Sequence, residues 1–237
     1  MMWATISDKK FYPVIHCIDP YESQGNGHAL QNTRIAIGNN ADGVFLIGHR
    51  LNFSELCGIY ENVRKNFPGV WIGINFLDIS PIKNRPTLHI AVKSCPGLNA
   101  LWIDSMPDER LDIPSSIQVF GGVAFKYKSP NLTGDALFQA CTKAIKFVDV
   151  ATTSGDKTGS PPNIEKLIVI KSNLANSIPL AVASGVDEDN VSDFIPFVDN
   201  FLVASSITER KPEYNNQEYF VPEKVKHLAH KIHSWKP

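Results

Sequence analysis

Neither sign of charge predominates in this chain of 237 residues: 23 Lys and Arg stand against 24 Asp and Glu, a formal net charge of −1. No long run of like charge breaks the balance, which argues against a broad nucleic-acid footprint or a basic membrane patch. Cysteine is scarce. Cys17, Cys57, Cys95 and Cys141 lie far apart with no CxxC pair, so reduced, buried thiols are expected rather than a disulfide framework or a zinc site. No apolar run approaches membrane-spanning length, and the opening MMWATISDKKFYPVIHCID lacks the apolar stretch and small-residue cleavage site of a signal peptide. No Gly/Ser-rich linker, low-complexity tract or composition shift divides the chain. These absences point to a soluble, cytoplasmic protein forming one domain over residues 1–237, with no nucleic-acid partner and no membrane insertion. They leave a small anionic ligand open, since that needs only a few local groups.

What is present is alternation. The apolar fraction of 43% is enough for a sizeable core, and it is spread over eight short runs rich in β-branched and aromatic residues. The predicted strands are Pro13 to Ile18, Gly43 to Ile47, Val70 to Phe76, Ala100 to Ile103, Ile117 to Phe125, Val148 to Thr152, Pro179 to Ala183 and Phe201 to Ala204. Helical spacing fills the gaps. In SELCGIYENVRKNF, Leu56, Ile59, Tyr60 and Val63 share a face; in GDALFQACTKAIKF the apolar positions are read as Ala136, Ala140 and Ile145. DSMPDERLDIPSS, after the fourth strand, has two prolines and little periodicity, so a short or irregular helix is expected there. Eight βα units with right-handed crossovers, at this length, favour closure into a single (β/α)8 TIM barrel of the phosphate-binding type over an open sheet.

Barrel chemistry sits at the C-terminal ends of the strands. The polar residues falling there are Asp19, His49, Asn75 with Asp78, Asp104, Lys126 and the turn from Thr152 to Thr158. Asp19 and Asp104 each follow an apolar run, where apolar walls lift a carboxyl's pKa and suit it to acid/base work. Lys126 is expected to act electrostatically on developing negative charge. His16 shares a side of its strand with Val14; a metal centre on His16, His49, Asp19 and Asp104 is the lesser alternative, and no metal or other cofactor is expected. The seventh and eighth strands end alike, in Ala183-Ser184-Gly185 and Ala204-Ser205-Ser206. In a barrel both turns face one mouth, where Gly185 admits an anion to the backbone and Ser184, Ser205 and Ser206 add hydroxyls. His227, His230 and His233 are assigned to a basic closing helix, and TERKPEYNNQEYFVPEK to a long connection usable as a lid or contact loop, with Tyr214, Tyr219 and Phe220 interspersed.

Three stretches, VDVATTSGDKTGSPPNIEKLIVIKS, IPLAVASGVDEDNVSDFI and VDNFLVASSI, resemble the last three units of the BtpA/SgcQ family of TIM barrels. That pattern has a TG-x-x-TG turn, an SGV-x-x-x-NV segment and a short strand ending in small residues. PVIHCID, ADGVFLIGH and WIGINFLD extend the likeness over most of the chain. The resemblance implies the barrel and adds Gly155, Thr158 and Gly159 to the phosphate-binding set. It also implies kinship with proteins linked to photosystem assembly or sugar operons. The function expected is enzymatic, on a phosphorylated sugar or phosphoribosyl compound, with Asp19 and Asp104 moving protons beside Lys126. The alternatives are a non-catalytic ligand-binding or assembly factor, using an apolar patch around Phe194, Phe197 and Tyr219, and a metal-dependent hydrolase. The partner expected is a small phosphorylated molecule, and a homo-oligomer is compatible with the pattern.

Overall fold

The structure is a computed structural model that describes residues 8–17, 25–77, 79–80, 83–129, 131–211 and 217–236. Asp19, Asp78 and Tyr214 lie outside them. In chain order the elements are β1 (Lys10–Cys17), α1 (Gly25–Gly38), β2 (Val44–Gly48), α2 (Phe53–Asn66), β3 (Ile72–Asn75), α3 (Arg85–Lys93), β4 (Ala100–Ile103) and β5 (Gln118–Gly122). There follow α4 (Gly134–Phe147), β6 (Val150–Thr153), α5 (Ile164–Leu174), β7 (Leu180–Ala183), α6 (Val191–Phe194), β8 (Asn200–Val203), β9 (Thr208–Lys211), β10 (Gln217–Phe220) and α7 (Pro222–His233).

Strands β1 to β8 pair in parallel in sequence order, and β8 closes on β1 through Lys10 opposite Asn200 and Pro13 opposite Val203. All eight predicted strands are present, with ends displaced by a few residues. The segment between β4 and β5 forms no helix; Pro107 and Pro114, each lacking a backbone N–H, suit it to turns instead. On α4 the buried positions are Leu137, Cys141 and Ala144, a face rotated from the expected one, and Ala136 is exposed. Leu137 and Cys141 offer more apolar surface to bury than Ala136 and Ala140.

Local chemistry explains where the helices begin. Asn52 and Glu55 form a reciprocal capping box at the start of α2, Pro86 occupies the first turn of α3, and Asn163 accepts the Glu165 N–H at the start of α5. At the N-terminal end of the barrel the buried Asp199 carboxylate receives Lys171 Nζ at 2.6 Å, Lys9 Nζ at 3.4 Å and the Leu180 N–H at 2.9 Å, joining α5, β7 and the entry to β1.

Inward-facing side chains divide the barrel's interior in two. Low in the barrel, Tyr12 stacks on Trp71 with centroids 4.3 Å apart, and Phe45 meets Trp71, Phe120 and Trp102 edge-on at 5.2 to 5.7 Å. This aromatic plug fits because β3 contributes no side chain at Gly73, where a Cβ would stand 2.2 Å from the Phe45 ring. Smaller residues lie above, and the interior opens toward the C-terminal strand ends. Gly73→Ala should therefore destabilise the protein by about 1–3 kcal/mol through overpacking, read as a lowered thermal midpoint; an unchanged midpoint would mean that the plug is looser than its ring distances imply.

Candidate functional site

The cavity at the C-terminal mouth has a volume of about 570 Å³. Its floor is apolar, formed by Val14, Ile47, Trp102, Ala183 and Leu202, and its rim is polar. Asp104, Lys126, Thr158, Gly159, Ser184, Gly185, Ser205 and Ser206 all border it.

The side built by β6, β7 and β8 is a set of interlocked turns. Ser184 has φ 141 and Gly185 φ 65, and a Cβ on Gly185 would stand 2.1 Å from the Pro161 nitrogen. The glycine thus lets the turn after β7 pack on the loop after β6, which makes Gly185→Val a structural lesion rather than a clean probe of ligand binding. Gly155 does the same from the other side, since its Cβ would meet the Ser160 carbonyl oxygen at 2.2 Å; it lies behind the residues that border the cavity. The Gly159 N–H donates to Ser184 Oγ at 3.0 Å, the Ser206 hydroxyl donates to the Val186 carbonyl at 2.6 Å, and the Thr158 N–H donates to the Tyr127 hydroxyl at 3.1 Å. Ser184 and Ser206 are therefore engaged in holding the turns. Among the described residues the N–H groups of Gly185 and Val186 have no protein acceptor, and the Ser205 side chain, at the start of a 3₁₀ turn over Ser205–Ile207, is exposed. Asp187 also borders the cavity, with Oδ1 occupied by the N–H groups of Asp189 and Asn190.

The opposite side carries titratable groups. Asn75 Nδ2 donates to Asp104 Oδ1 at 3.0 Å. Burial raises the Asp104 pKa, while the Asn75 hydrogen bond and the charges of Lys126 and Lys128 pull it back. Burial likewise lowers the Lys126 pKa, and Asp104 opposes that. The two groups face one cavity, as the strand count implies, without forming a salt bridge. Lys126 lies beyond the end of β5, and its backbone N–H is fixed by Ser154 Oγ at 2.8 Å.

His16 is inside the barrel at the mouth. Its Nδ1 lies 3.0 Å from Glu218 Oε2, and its ring meets that of His49 edge-on at 4.8 Å. Burial, then the electrostatic influence of the neighbouring His16 and Lys126, holds His49 below the usual histidine range. Glu218, held below the usual carboxylate range chiefly by His16, is the partner of His16 that sequence reasoning missed. It lies on β10, which pairs antiparallel with β9 and is moored where His28 Nε2 and Asn32 Nδ2 reach the Glu218 carbonyl at 2.6 and 3.1 Å. The short alternating runs TERK and QEYF are the signal that could have revealed this hairpin. Among the described residues no group of three or more His, Cys, Asp or Glu is arranged to hold a metal ion.

A closed parallel (β/α)8 barrel with a polar-rimmed cavity at its C-terminal mouth defines a TIM-barrel protein. The chain belongs to the BtpA family, whose model matches residues 100–234. The "Photosystem I biogenesis protein BtpA" of Synechocystis sp. is 35% identical over 100 residues, a segment spanning 41% of this chain and only 34% of that relative. Among solved structures, the chain is similar to a thiamine phosphate pyrophosphorylase from Pyrococcus furiosus, with 13% identity, TM-score 0.63 and coverage of 95% of this chain and 96% of that one. It is also similar to a tryptophan synthase alpha chain from Legionella pneumophila (12% identity, TM-score 0.67, 95% and 92% covered). A third is a phosphoribosylanthranilate isomerase from Thermotoga maritima (13%, TM-score 0.62, 94% and 98%). At these identities the likeness establishes the fold.

The electrostatics have a definite sign. Because the Asp104 pKa is raised on folding, the unfolded chain gives up its proton first as pH rises, so ionisation of Asp104 costs stability above its unfolded value of about 3.9. The cost is complete above the folded pKa. Asp104→Asn should then raise the thermal midpoint at pH 7 and change it little at about pH 3. In Lys126→Met the Asp104 carboxyl should titrate higher than in the wild type, by up to about one unit when followed by carboxyl NMR. An unmoved or lowered Asp104 pKa in that variant would show that the two charges do not interact.

Proposed function

We propose that the protein is an enzyme of small-molecule metabolism acting on a phosphorylated sugar or phosphoribosyl compound by acid/base chemistry. The observation that carries this reading is one cavity bordered on one side by backbone N–H groups without protein acceptors among the described residues, at Gly185 and Val186, and on the other by a half-buried carboxyl and a half-buried lysine, Asp104 and Lys126. The phosphate group would take its hydrogen bonds from those N–H groups and from the turn at Ser205 and Ser206. Thr158, Gly159, Ser184 and Gly155 fix the loops around it. Asp104, whose pKa burial raises, donates or accepts the proton, and Lys126 stabilises negative charge developing on a substrate oxygen. The His16–Glu218 pair and His49 offer a second proton-transfer group across the cavity. The acid/base role proposed for Asp19 rests on the sequence, since Asp19 lies outside the described residues. Two structural neighbours, a thiamine phosphate pyrophosphorylase and a phosphoribosylanthranilate isomerase, are named for phosphorylated compounds, which supports a phosphorylated ligand.

A second reading, a non-catalytic assembly factor, has its own support. The patch expected around Phe194, Phe197 and Tyr219 is absent: Phe194 and Tyr219 are buried, and Phe197 packs on the core. The exposed apolar side chains among the described residues instead include Phe138 on α4 and Ile164, Ile168 and Val169 on α5, and the Synechocystis relative is named for photosystem I biogenesis. On this reading Phe138→Lys would abolish association with a partner and leave the cavity unaffected.

A ligand that binds only the native state raises the melting temperature by mass action. Phosphorylated sugars and phosphoribosyl compounds should therefore raise it more than their dephosphorylated counterparts, and inorganic phosphate should give a smaller, saturable rise. Ser205→Glu, which sets a negative charge on an exposed turn, should remove the rise without lowering the midpoint of the free protein. Equal rises in variant and wild type would place the anion elsewhere.

A further inference from the structure

Away from the cavity, two of the four cysteines are in contact. Cys57 on α2 and Cys95, two residues beyond the end of α3, are 38 positions apart, and their sulfurs are 3.1 Å apart, with the Cys95 S–H donating to Cys57 Sγ. That is closer than the roughly 3.5–4.0 Å at which ordinary non-bonded carbon atoms rest. Both residues are buried, at 4% and 1% exposure. The contact is held from several sides. Cys57 S–H also reaches the Ala91 carbonyl at 3.6 Å. The Cys95 N–H donates to the Val92 carbonyl, and the Leu98 N–H donates to the Cys95 carbonyl, both at 3.1 Å. Beside them the Tyr60 hydroxyl donates to the Pro96 carbonyl at 2.8 Å. The backbone of both partners is thus fixed with the sulfurs facing, and closing the remaining gap to a bond needs about 1 Å.

We infer that Cys57 and Cys95 form a redox-active dithiol, a covalent modification site that closes to a disulfide in the presence of a hydroperoxide. The steps balance. The Cys57 thiolate attacks one peroxide oxygen and breaks the O–O bond, giving a sulfenic acid and releasing hydroxide. The Cys95 sulfur then displaces hydroxide from the Cys57 sulfenic acid as water, forming the S–S bond. Two thiol protons and two electrons leave the protein, and one hydrogen peroxide becomes two waters. A hydroperoxide is named because its size is close to that of water and the pair is buried. The order of attack follows from the contact: the Cys95 S–H donated to Cys57 stabilises the Cys57 thiolate and lowers its pKa, while the same contact and burial raise that of Cys95. The other two thiols are poor competitors. Burial pushes Cys17 up to about 12 and Cys141 up to about 11, and neither has a neighbouring sulfur among the described residues.

The crosslink would join α2 to the end of α3, behind the strands that carry His49 and Asn75, and would close a long loop. Closing a loop of that length restricts the unfolded chain, so oxidation should raise the melting temperature by roughly 5 °C. The test uses the full chain, treated with hydrogen peroxide and then with dithiothreitol. Oxidation should remove the mass of two hydrogens, join the peptide containing Cys57 to the one containing Cys95, leave Cys17 and Cys141 alkylatable, and be reversed by reductant. Cys57→Ser and Cys95→Ser should each abolish both the crosslink and the rise in melting temperature. Peptide mapping of the wild type decides the matter even where a variant folds poorly. Oxygen addition without loss of two hydrogens, or a crosslink involving Cys17 or Cys141, would overturn the assignment.

Discussion

The ring of Tyr12 lies flat on that of Trp71, while Phe45 stands edge-on between Trp71, Phe120 and Trp102. These contacts make the lower half of the barrel solid. Each such pair contributes about 0.5–1.5 kcal/mol beyond its buried area, but their larger effect is spatial. With five rings filling one end of the barrel, the cavity opens at the other, where His16, His49, Asn75 and Ala183 lie at or beside the strand ends. Gly73 belongs to the same constraint, because its missing side chain is the volume that Phe45 occupies.

Given that floor, the chemistry of the rim follows from unequal burial. Asp104 and Lys126 each pay for a place beside apolar neighbours by a shift toward the uncharged form, and each partly restores the other's charge. Charges held in this intermediate condition exchange protons with a ligand more readily than fully solvated ones. The side built by β6, β7 and β8 works differently. The hydroxyls of Ser154, Tyr127 and Ser184 are engaged in knitting the turns after β5, β6 and β7 to one another, and the backbone of Gly185 and Val186 borders the cavity. A rim of fixed dipoles needs little reorganisation when an anion arrives.

The strands were legible because burial on both faces of a parallel sheet leaves near-continuous apolar runs such as ALWI and NFLV. The shared mouth of the turns at Ser184 and Ser205 was legible too, since two strand ends in one barrel point the same way. Three things were not. The buried face of α4 was misplaced because alanine marks helical sequence without marking burial, and Leu137 rather than Ala136 sits against the barrel. Glu218 was missed because the hairpin of β9 and β10 is held by residues nearly two hundred positions away, His28 and Asn32, and no local pattern records such a tether. The third is that Ser184 and Gly185, expected as ligand contacts, also pack backbone against Gly159 and Pro161. Small residues serve both purposes, and spacing alone does not separate them.

The seam between β1 and β8 has a consequence for synthesis. β1 leaves the ribosome well before β8, and one of its two edges has no partner until the residues of β8 follow, with Lys10 waiting for Asn200 and Phe11 for Phe201. An unpaired strand edge is a template for wrong pairing, and contacts this distant in sequence form slowly. In the growing chain the half-made barrel therefore exposes the apolar edge it will later seal, and its protection in that interval has to come from outside the fold: from chaperones, or from the speed of translation itself.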